Sequence, residues 1–191
     1  MIDFEQLKRR IPHWGRVVMN RDIAAFLDGL PTASMRAVEV SGWAHESRTW
    51  QSYRATMIET FDICTTERVE PEADIVFCEQ VLEHVVDPIQ AARNLFNLLH
   101  PGGYAVVSVP FMVRIHKEPE DYWRFSQAGL RVLLERAGFE VERTDDWGNR
   151  LVVLANLWRW CPYVPFVQPM WRSRATPLVV WAIARKEGES S

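Results

Sequence analysis

Cysteine is scarce in this chain, and so is any run of one charge. Cys64, Cys78 and Cys161 stand far apart. They form neither a C-x-x-C metal pattern nor an even disulfide set, which excludes disulfide-stapled and zinc-ribbon architectures and makes a reducing, cytoplasmic setting the expectation. No Lys/Arg-rich stretch occurs, and the net charge is −3 with a pI near 6.0, so nucleic acid is not an implied partner. No apolar run is long enough to cross a bilayer. The nearest one, Leu151 to Val167, is broken by Arg159, Pro162 and Pro165. The opening Met1-Ile2-Asp3-Phe4-Glu5 is charged too early for a signal peptide. There is no internal repeat and no long linker. No His/Asp/Glu group has convincing ligand spacing, so no metal is expected.

What the chain does have is enough apolar residue, 48% of 191, to bury the core of one domain. Phe4, Leu7, Ile11, Val17, Val18, Ile23, Phe26 and Leu27 recur at helical spacing over residues 4–28, with a break expected at Pro12 and an end at Gly29-Leu30-Pro31. Short strands are expected at Ala37–Val40, closed by Ser41-Gly42, at Ser52–Ile58, and at the continuous apolar run Ala73–Cys78. Asp87-Pro88 opens a helix, with Asp87 as N-cap, Pro88 in the first turn and Gln90 placed for a capping box. Ile89, Ala92, Phe96 and Leu99 give it an apolar face, and Pro101-Gly102-Gly103 is expected to stop it. Then follow a strand at Tyr104–Val109, a helix at Ser126–Ala137 capped by Gly138, and strands at Phe139–Arg143 and Leu178–Arg185.

This alternation predicts an α/β, Rossmann-like, doubly wound and mostly parallel sheet with helices on both faces. Ligands of such sheets bind outside the carboxyl ends of the strands. Ser41-Gly42, Glu79-Gln80 and Pro110-Phe111 should therefore share one rim.

The segment Asp74-Ile75-Val76-Phe77-Cys78-Glu79-Gln80-Val81-Leu82-Glu83-His84-Val85-Val86-Asp87-Pro88, continued by Leu98-Leu99-His100-Pro101-Gly102-Gly103-Tyr104, resembles the class I S-adenosylmethionine (SAM) dependent methyltransferases. Within them it is most similar to the methyltransferase domain 11 group, which includes ubiquinone-pathway enzymes. Asp121-Tyr122-Trp123-Arg124-Phe125-Ser126, with Leu130, Leu133-Leu134 and Ala137-Gly138-Phe139, resembles the same group, so most of residues 36–145 is covered. The resemblance implies SAM as cofactor. It places Glu39 at the methionine end, Ser41 and Gly42 in the loop beside it, and Glu79 and Gln80 near the sulfur. The chain departs from the group's E-x-G-x-G-x-G loop, for Glu39-Val40-Ser41-Gly42-Trp43-Ala44-His45 keeps one glycine. The ribose-binding acid is displaced as well: Met57 ends the second strand and Glu59 follows two positions later. Asp62-Ile63 resembles the adenine-side motif. Almost no room is left for the helix and strand that larger relatives carry between those motifs, so the fold should be abbreviated after its second strand.

Each of these residues also has a plainer reading. Gly42 would serve a strand-end turn, Glu39 is an ordinary strand-edge carboxylate, Glu59 a solvated acid, and Asp62 an Asx-turn residue. His84 reads as a structural histidine bonded to backbone. His116 is the better base candidate, because its loop overhangs the acceptor site in this fold and an imidazole titrates near neutrality. Asp121 is placed to orient it, or the two simply pin the loop. Tyr122 and Trp123 are divided between acceptor pocket and core. The tail is rich in tryptophan: Trp147, Trp158, Trp160, Trp171 and Trp181. Trp181 reads as core. The others would grip an acceptor (Trp158 first among them), form a homodimer face, or rest on a membrane surface beside Arg150, Arg159, Arg172 and Arg174.

The expected organisation is a helical cap over residues 1–35, a SAM-binding core over 36–145 and a Trp-rich, substrate-side insertion with the last strand over 146–191. The expected function is methyl transfer from SAM to a small-molecule acceptor, first an oxygen of a natural product, sugar or isoprenoid-type metabolite. A non-catalytic binding or scaffold module is the rival, motivated by the eroded glycine loop. A nicotinamide-binding protein is disfavoured by the missing G-x-G-x-x-G.

Overall fold

The computed structural model describes residues 12–57, 61–117, 119–158 and 161–188. A 3-10 turn at Trp14–Arg16 leads into helix α1, Val17–Asp28. Met19, Ile23 and Leu27 recur every four residues and are buried as one stripe. The helical pattern is thus met from Trp14 onward, and residues 4–11 lie outside the described residues. Strand β1 runs Arg36–Val40 and β2 Ser52–Thr56, parallel to it at the sheet edge. Strand β3, Ala73–Glu79, is buried almost throughout, as its continuous apolar run requires.

Between β2 and β3 the described residues form neither helix nor strand, which agrees with the abbreviation expected from the sequence. That connection is held by a side chain. Helix α2, Pro88–Leu98, carries the buried Asn94, whose amide donates to Ile63 O at 2.7 Å and Thr65 O at 2.8 Å. Asp87 caps α2 by accepting from Ile89 N and Gln90 N. Gln90 closes no capping box. Its amide turns instead to Thr65 O and to Asn94 Oδ1, because the connection offers carbonyls that need a donor.

Strand β4 occupies Leu99–Pro110 and starts directly where α2 ends. Pro101-Gly102-Gly103 was expected to stop the helix, but it lies inside β4. The register there jumps from Ala73↔Leu99 to Ile75↔Tyr104, and Gly102, at φ +83°, lets the backbone make the excursion. Helix α3, Gln127–Ala137, is capped by Ser126 and ends at Gly138, φ +107°. Strand β5 is Glu140–Trp147, helix α4 Arg150–Trp158 and strand β6 Val179–Arg185.

The sheet order is β2-β1-β3-β4-β6-β5, with the first four strands parallel and β6 antiparallel between β4 and β5. Alternate residues feed two cores. Val76 and Cys78 pack with Leu95, Leu130 and Leu134 on one face, while Ile75 and Phe77 pack with Ile23, Val106 and Trp181 on the other. Trp181 is core, as expected, and its indole donates to Asp22 of α1 at 2.7 Å.

The segment after α4 is laced to the end of β5. Leu178 N donates to Trp147 O and Ser173 N to Gly148 O, both at 2.8 Å. The Asn149 amide reaches Pro169 O and Trp171 O. Gly148 sits in this crossing, where a Cβ would lie 2.3 Å from Leu178 N and 2.4 Å from Thr176 O. Both neighbours are backbone and cannot step aside. Gly148→Ala should therefore destabilise the fold by about 1–3 kcal/mol, seen in thermal unfolding as a Tm lower by roughly 3–10 °C. An unchanged Tm would mean that the lacing is not tight.

Candidate active site

The carboxyl ends of β1, β3 and β4 and the amino end of β6 meet at one rim. At the end of β1 the Glu39 side chain is buried. Its Oε1 accepts from Ala44 N at 2.7 Å, and its Oε2 accepts from His45 N at 3.0 Å and from the Tyr53 hydroxyl at 2.7 Å. Burial and the adjacent carboxylate push the Tyr53 phenol upward, so it remains a donor. Gly42 lies against this carboxylate, and a Cβ there would stand 2.6 Å from Glu39 Oε1. The glycine's first role is thus to let the loop close on Glu39.

Two non-glycine residues at this rim are left-handed: Ser41, φ +55°, and Gln80, φ +59°. Each such conformation costs on the order of 1–3 kcal/mol, and such strain clusters at ligand sites. Ser41 N donates to Thr56 O, and Gln80 N to Ser108 O, both at 2.8 Å. The Gln80 amide also donates to Ser108 Oγ at 3.2 Å. His45 spans the gap between the two strand ends. Its ring stacks on Phe77 with centroids 3.8 Å apart, and its Nε2 lies 2.7 Å from Glu79 Oε1.

Beside this rim lies a cavity of about 590 Å³, a size suited to a small molecule. His13, Arg16, Gln80, His84, His116 and Asn156 are among the residues that line it. His13 is held down to about 4, first by burial and then by Arg16, so it is neutral at neutral pH. Its Nδ1 accepts from Gly15 N, and its Nε2 meets the Asn156 amide at 3.0 Å.

His116 and Asp121 come together as the sequence suggested. His116 N donates to Asp121 Oδ2 at 2.8 Å, and its Nδ1 lies 3.3 Å from the same oxygen. Arg124 forks onto Asp121 and holds its carboxyl down to about 2. The stabilisation from that depressed carboxyl is present above the ordinary carboxylate range and is lost only as pH falls toward about 2, so the loop stays pinned at neutral pH. The His84 ring stands edge-on to His116, with centroids 4.9 Å apart, and its Nδ1 meets Glu120 O at 2.5 Å.

Behind the two imidazoles is Glu83, fully buried, with neither carboxylate oxygen hydrogen-bonded among the described residues. Burial pushes its carboxyl up to about 7. Glu83 Oε1 lies 3.7 Å from His84 Nε2. Glu83, His84 and His116 each bring one ligating atom within 4.8 Å of the others, a spacing at which three donors can share a cation. The linear sequence conceals this trio, because His116 joins it from another loop.

The remaining site candidates are dispersed. Glu59 lies outside the described residues. Asp62 makes an Asx turn, its Oδ1 accepting from Cys64 N at 2.8 Å, and Ile63 is part of the core. Tyr122 and Trp158 are exposed and do not line the cavity, and Trp123 is half-exposed with its indole donating to Val85 O. His45 and Glu83 were not picked out in the sequence. Only the position of Glu83 inside the Leu82-Glu83-His84 string could have drawn notice to it.

Residues 10–144 match the family model of a methyltransferase domain. Over 81 residues the chain is 36% identical to a "Probable S-adenosylmethionine-dependent methyltransferase" of Mycolicibacterium smegmatis, covering 39% of this chain and 32% of that protein. Over 91 residues it is 32% identical to a ubiquinone biosynthesis O-methyltransferase of Alkalilimnicola ehrlichii, covering 48% of this chain and 33% of that one. The chain thus spans about a third of the length of these curated relatives. Among solved structures, a SAM-dependent methyltransferase of Mesorhizobium loti superposes with a TM-score of 0.55 at 16% identity, covering 85% of this chain and 96% of that one. That likeness speaks for the fold alone. The cofactor these matches imply needs acceptors for an ammonium and for ribose hydroxyls. Glu79 and Gln80 stand at the rim, next to a loop closed by Glu39, and their carboxylate and amide oxygens are acceptors of that kind. Fold, rim and family match agree: the chain belongs to the methyltransferase domain family, whose methyl donor is S-adenosylmethionine.

Proposed function

We propose that the chain methylates a small molecule held in the cavity beside Gln80, at an oxygen of a natural product, sugar or isoprenoid-type metabolite. The observation that carries this reading is His116, set in the cavity wall with its Nδ1 against a pinned carboxylate. SAM, when bound, supplies a methyl on a sulfonium that is already a good leaving group. The protein's own work is then positioning and proton removal. Glu39 fixes the loop that carries Ser41 and Gly42, and Glu79 and Gln80 hold the methionine side. Asp62, Ile63 and Glu59 are assigned to the adenosine side. With Nδ1 beside Asp121 Oδ2 and Arg114 O, His116 takes the acceptor's proton on Nε2, and the anionic Asp121 helps orient the ring and balances the imidazolium. The buried Glu83 adds negative potential behind the pair when ionised.

A second reading has its own observation. The unpartnered oxygens of Glu83, beside His84 and His116, would be satisfied by a divalent cation, which would then replace the base in activating the acceptor. Chelator distinguishes the two. Turnover insensitive to EDTA supports the base, and turnover lost with EDTA and restored by a divalent cation supports the cation.

Two substitutions test the main reading. In Gly42→Val the new side chain displaces the Glu39 carboxylate from the amides of Ala44 and His45. Loss of these charge-assisted hydrogen bonds should weaken S-adenosylhomocysteine binding roughly 10- to 100-fold by calorimetry. Wild-type affinity in a folded Gly42→Val protein would refute the placement of the cofactor. A protein that binds neither SAM nor S-adenosylhomocysteine would be the non-catalytic module instead.

His116→Ala should lower turnover by about 10²–10⁴-fold and leave S-adenosylhomocysteine affinity nearly unchanged. The shape of the kcat/KM profile against pH should change with it. A loss of only a few-fold with an unaltered pH profile would leave His116 a structural role.

A further inference from the structure

Helix α4 shows solvent a face that a water-soluble enzyme has no internal reason to display. Leu151, Leu154, Leu157 and Trp158 fall on one side of it and are all exposed, Leu154 at 63% and Trp158 at 84%. The opposite side carries Val152 and Asn156, which are buried. The helix is therefore already seated on the protein through its inner face, and the outer apolar face is left over.

The loop at 161–168 also displays apolar side chains to solvent. Phe166 is fully exposed and sits in the left-handed region, φ +64°, with Val167 exposed beside it. A bulky residue rarely adopts that backbone conformation. The turn is nevertheless firmly built. Val164 N donates to Gln168 Oε1 at 2.9 Å, and the Gln168 amide donates to Pro162 O at 3.0 Å. The aromatic ring is thus held outward at the tip of a braced loop.

Charge completes the description. Residues 148–184 contain Arg150, Arg159, Arg172 and Arg174 and no aspartate or glutamate, so all 25 acidic residues of this net-negative chain lie elsewhere. Arg172 is engaged by Asp145 and Asp146, but Arg150 and Arg174 are exposed and have no ion pair among the described residues. Leucine and aromatic side chains flanked by arginine, with acids excluded, are the composition that binds the boundary of an anionic bilayer.

We propose that the outer face of α4 and the Phe166 turn form a docking surface for an anionic lipid bilayer. The contact lies in the interface plane, since among the described residues no helix is long and apolar enough to cross a membrane. A second copy of this chain is the poorer occupant. A two-fold contact through this face would set one arginine-bearing segment against its own duplicate, with no carboxylate within residues 148–184 of either copy to answer it. The inner face of α4 lends Asn156 to the acceptor cavity, so docking would bring the wall of that cavity to the lipid surface. The proposal rests on surface composition and does not depend on the methyl-transfer reading.

The test is co-sedimentation of the full chain with vesicles of phosphatidylcholine alone and of phosphatidylcholine mixed with phosphatidylglycerol. Binding is expected on the mixed vesicles, weaker at raised salt, with a blue shift of tryptophan emission. The double variant Leu154→Glu/Leu157→Glu should lose roughly tenfold or more in vesicle affinity. Phe166→Ser, which changes only a loop tip, should lose affinity in the same direction. Wild-type thermal unfolding in both variants shows that folding is intact, and if the double variant fails to fold, Phe166→Ser carries the test. The proposal is overturned if the wild-type chain stays in the supernatant with mixed vesicles, or if it binds both vesicle types equally. It is also overturned if light scattering finds a lipid-free dimer that Leu154→Glu converts to monomer while vesicle binding is unchanged, since the face would then be a subunit interface.

Discussion

A buried carboxylate organises this rim. Glu39 lies at the end of a central strand, where an ionised group without partners would be costly. Three donors offset that cost: the amides of Ala44 and His45 and the hydroxyl of Tyr53. Because two of them belong to one loop and the third to β2, satisfying Glu39 also shapes the loop and ties it to the edge strand. His45 is delivered by that loop to Glu79 at the end of β3. The strand ends that define the candidate cofactor site are thus joined through one acid. Gly42 is required because the loop must pass within van der Waals reach of the same acid.

The cavity side follows another logic. Its histidines and acids sit on loops and turns and not on strands. His116 and Asp121 lie in the loop after β4, Glu83 and His84 in a 3-10 turn after β3, and His13 just before α1. They converge because β3 and β4 are adjacent and because Glu83 O accepts from the amides of Tyr122 and Trp123, which pins the second loop to the first. One side of Glu83 thus acts as structural backbone, while its carboxylate faces two imidazoles with no hydrogen bond of its own. Among the described residues, this is where unsatisfied buried polarity is concentrated, and it is where chemistry is proposed.

Much of the architecture was legible in the residues. The apolar run at Ala73–Cys78, the Asp87-Pro88 start and the Gly138 stop each act through local sterics and hydrogen bonding, so each sits where the sequence put it. The Pro101-Gly102-Gly103 run was misread because the same conformational freedom that ends a helix also serves a strand excursion, and only the register with β3 tells them apart. Helix α4 was passed over because its residues are almost uniformly apolar and show no period. The Glu83, His84 and His116 trio was invisible for a different reason: proximity across two loops is a property of strand order, not of spacing. Glu39 was read as accepting from the cofactor's ammonium or from loop amides, and Gly42 as a close-approach glycine or a strand-end turn. The geometry gives them to each other first, a relation that needs the loop's three-dimensional path.

The antiparallel β6, inserted between β4 and β5, also orders events during synthesis. Every other strand is made before it, yet β4 and β5 have no contact across the sheet until β6 arrives to fill the gap. From Trp147, where β5 is complete, to Val179 the nascent chain holds two open strand edges apart, for roughly 2–6 s at ordinary elongation rates. Asp22, near the start, likewise waits for Trp181. The sheet therefore closes late and as a single event, and the newly made polypeptide depends on its distal residues, or on a chaperone, to shield the exposed backbone of β4 in the meantime.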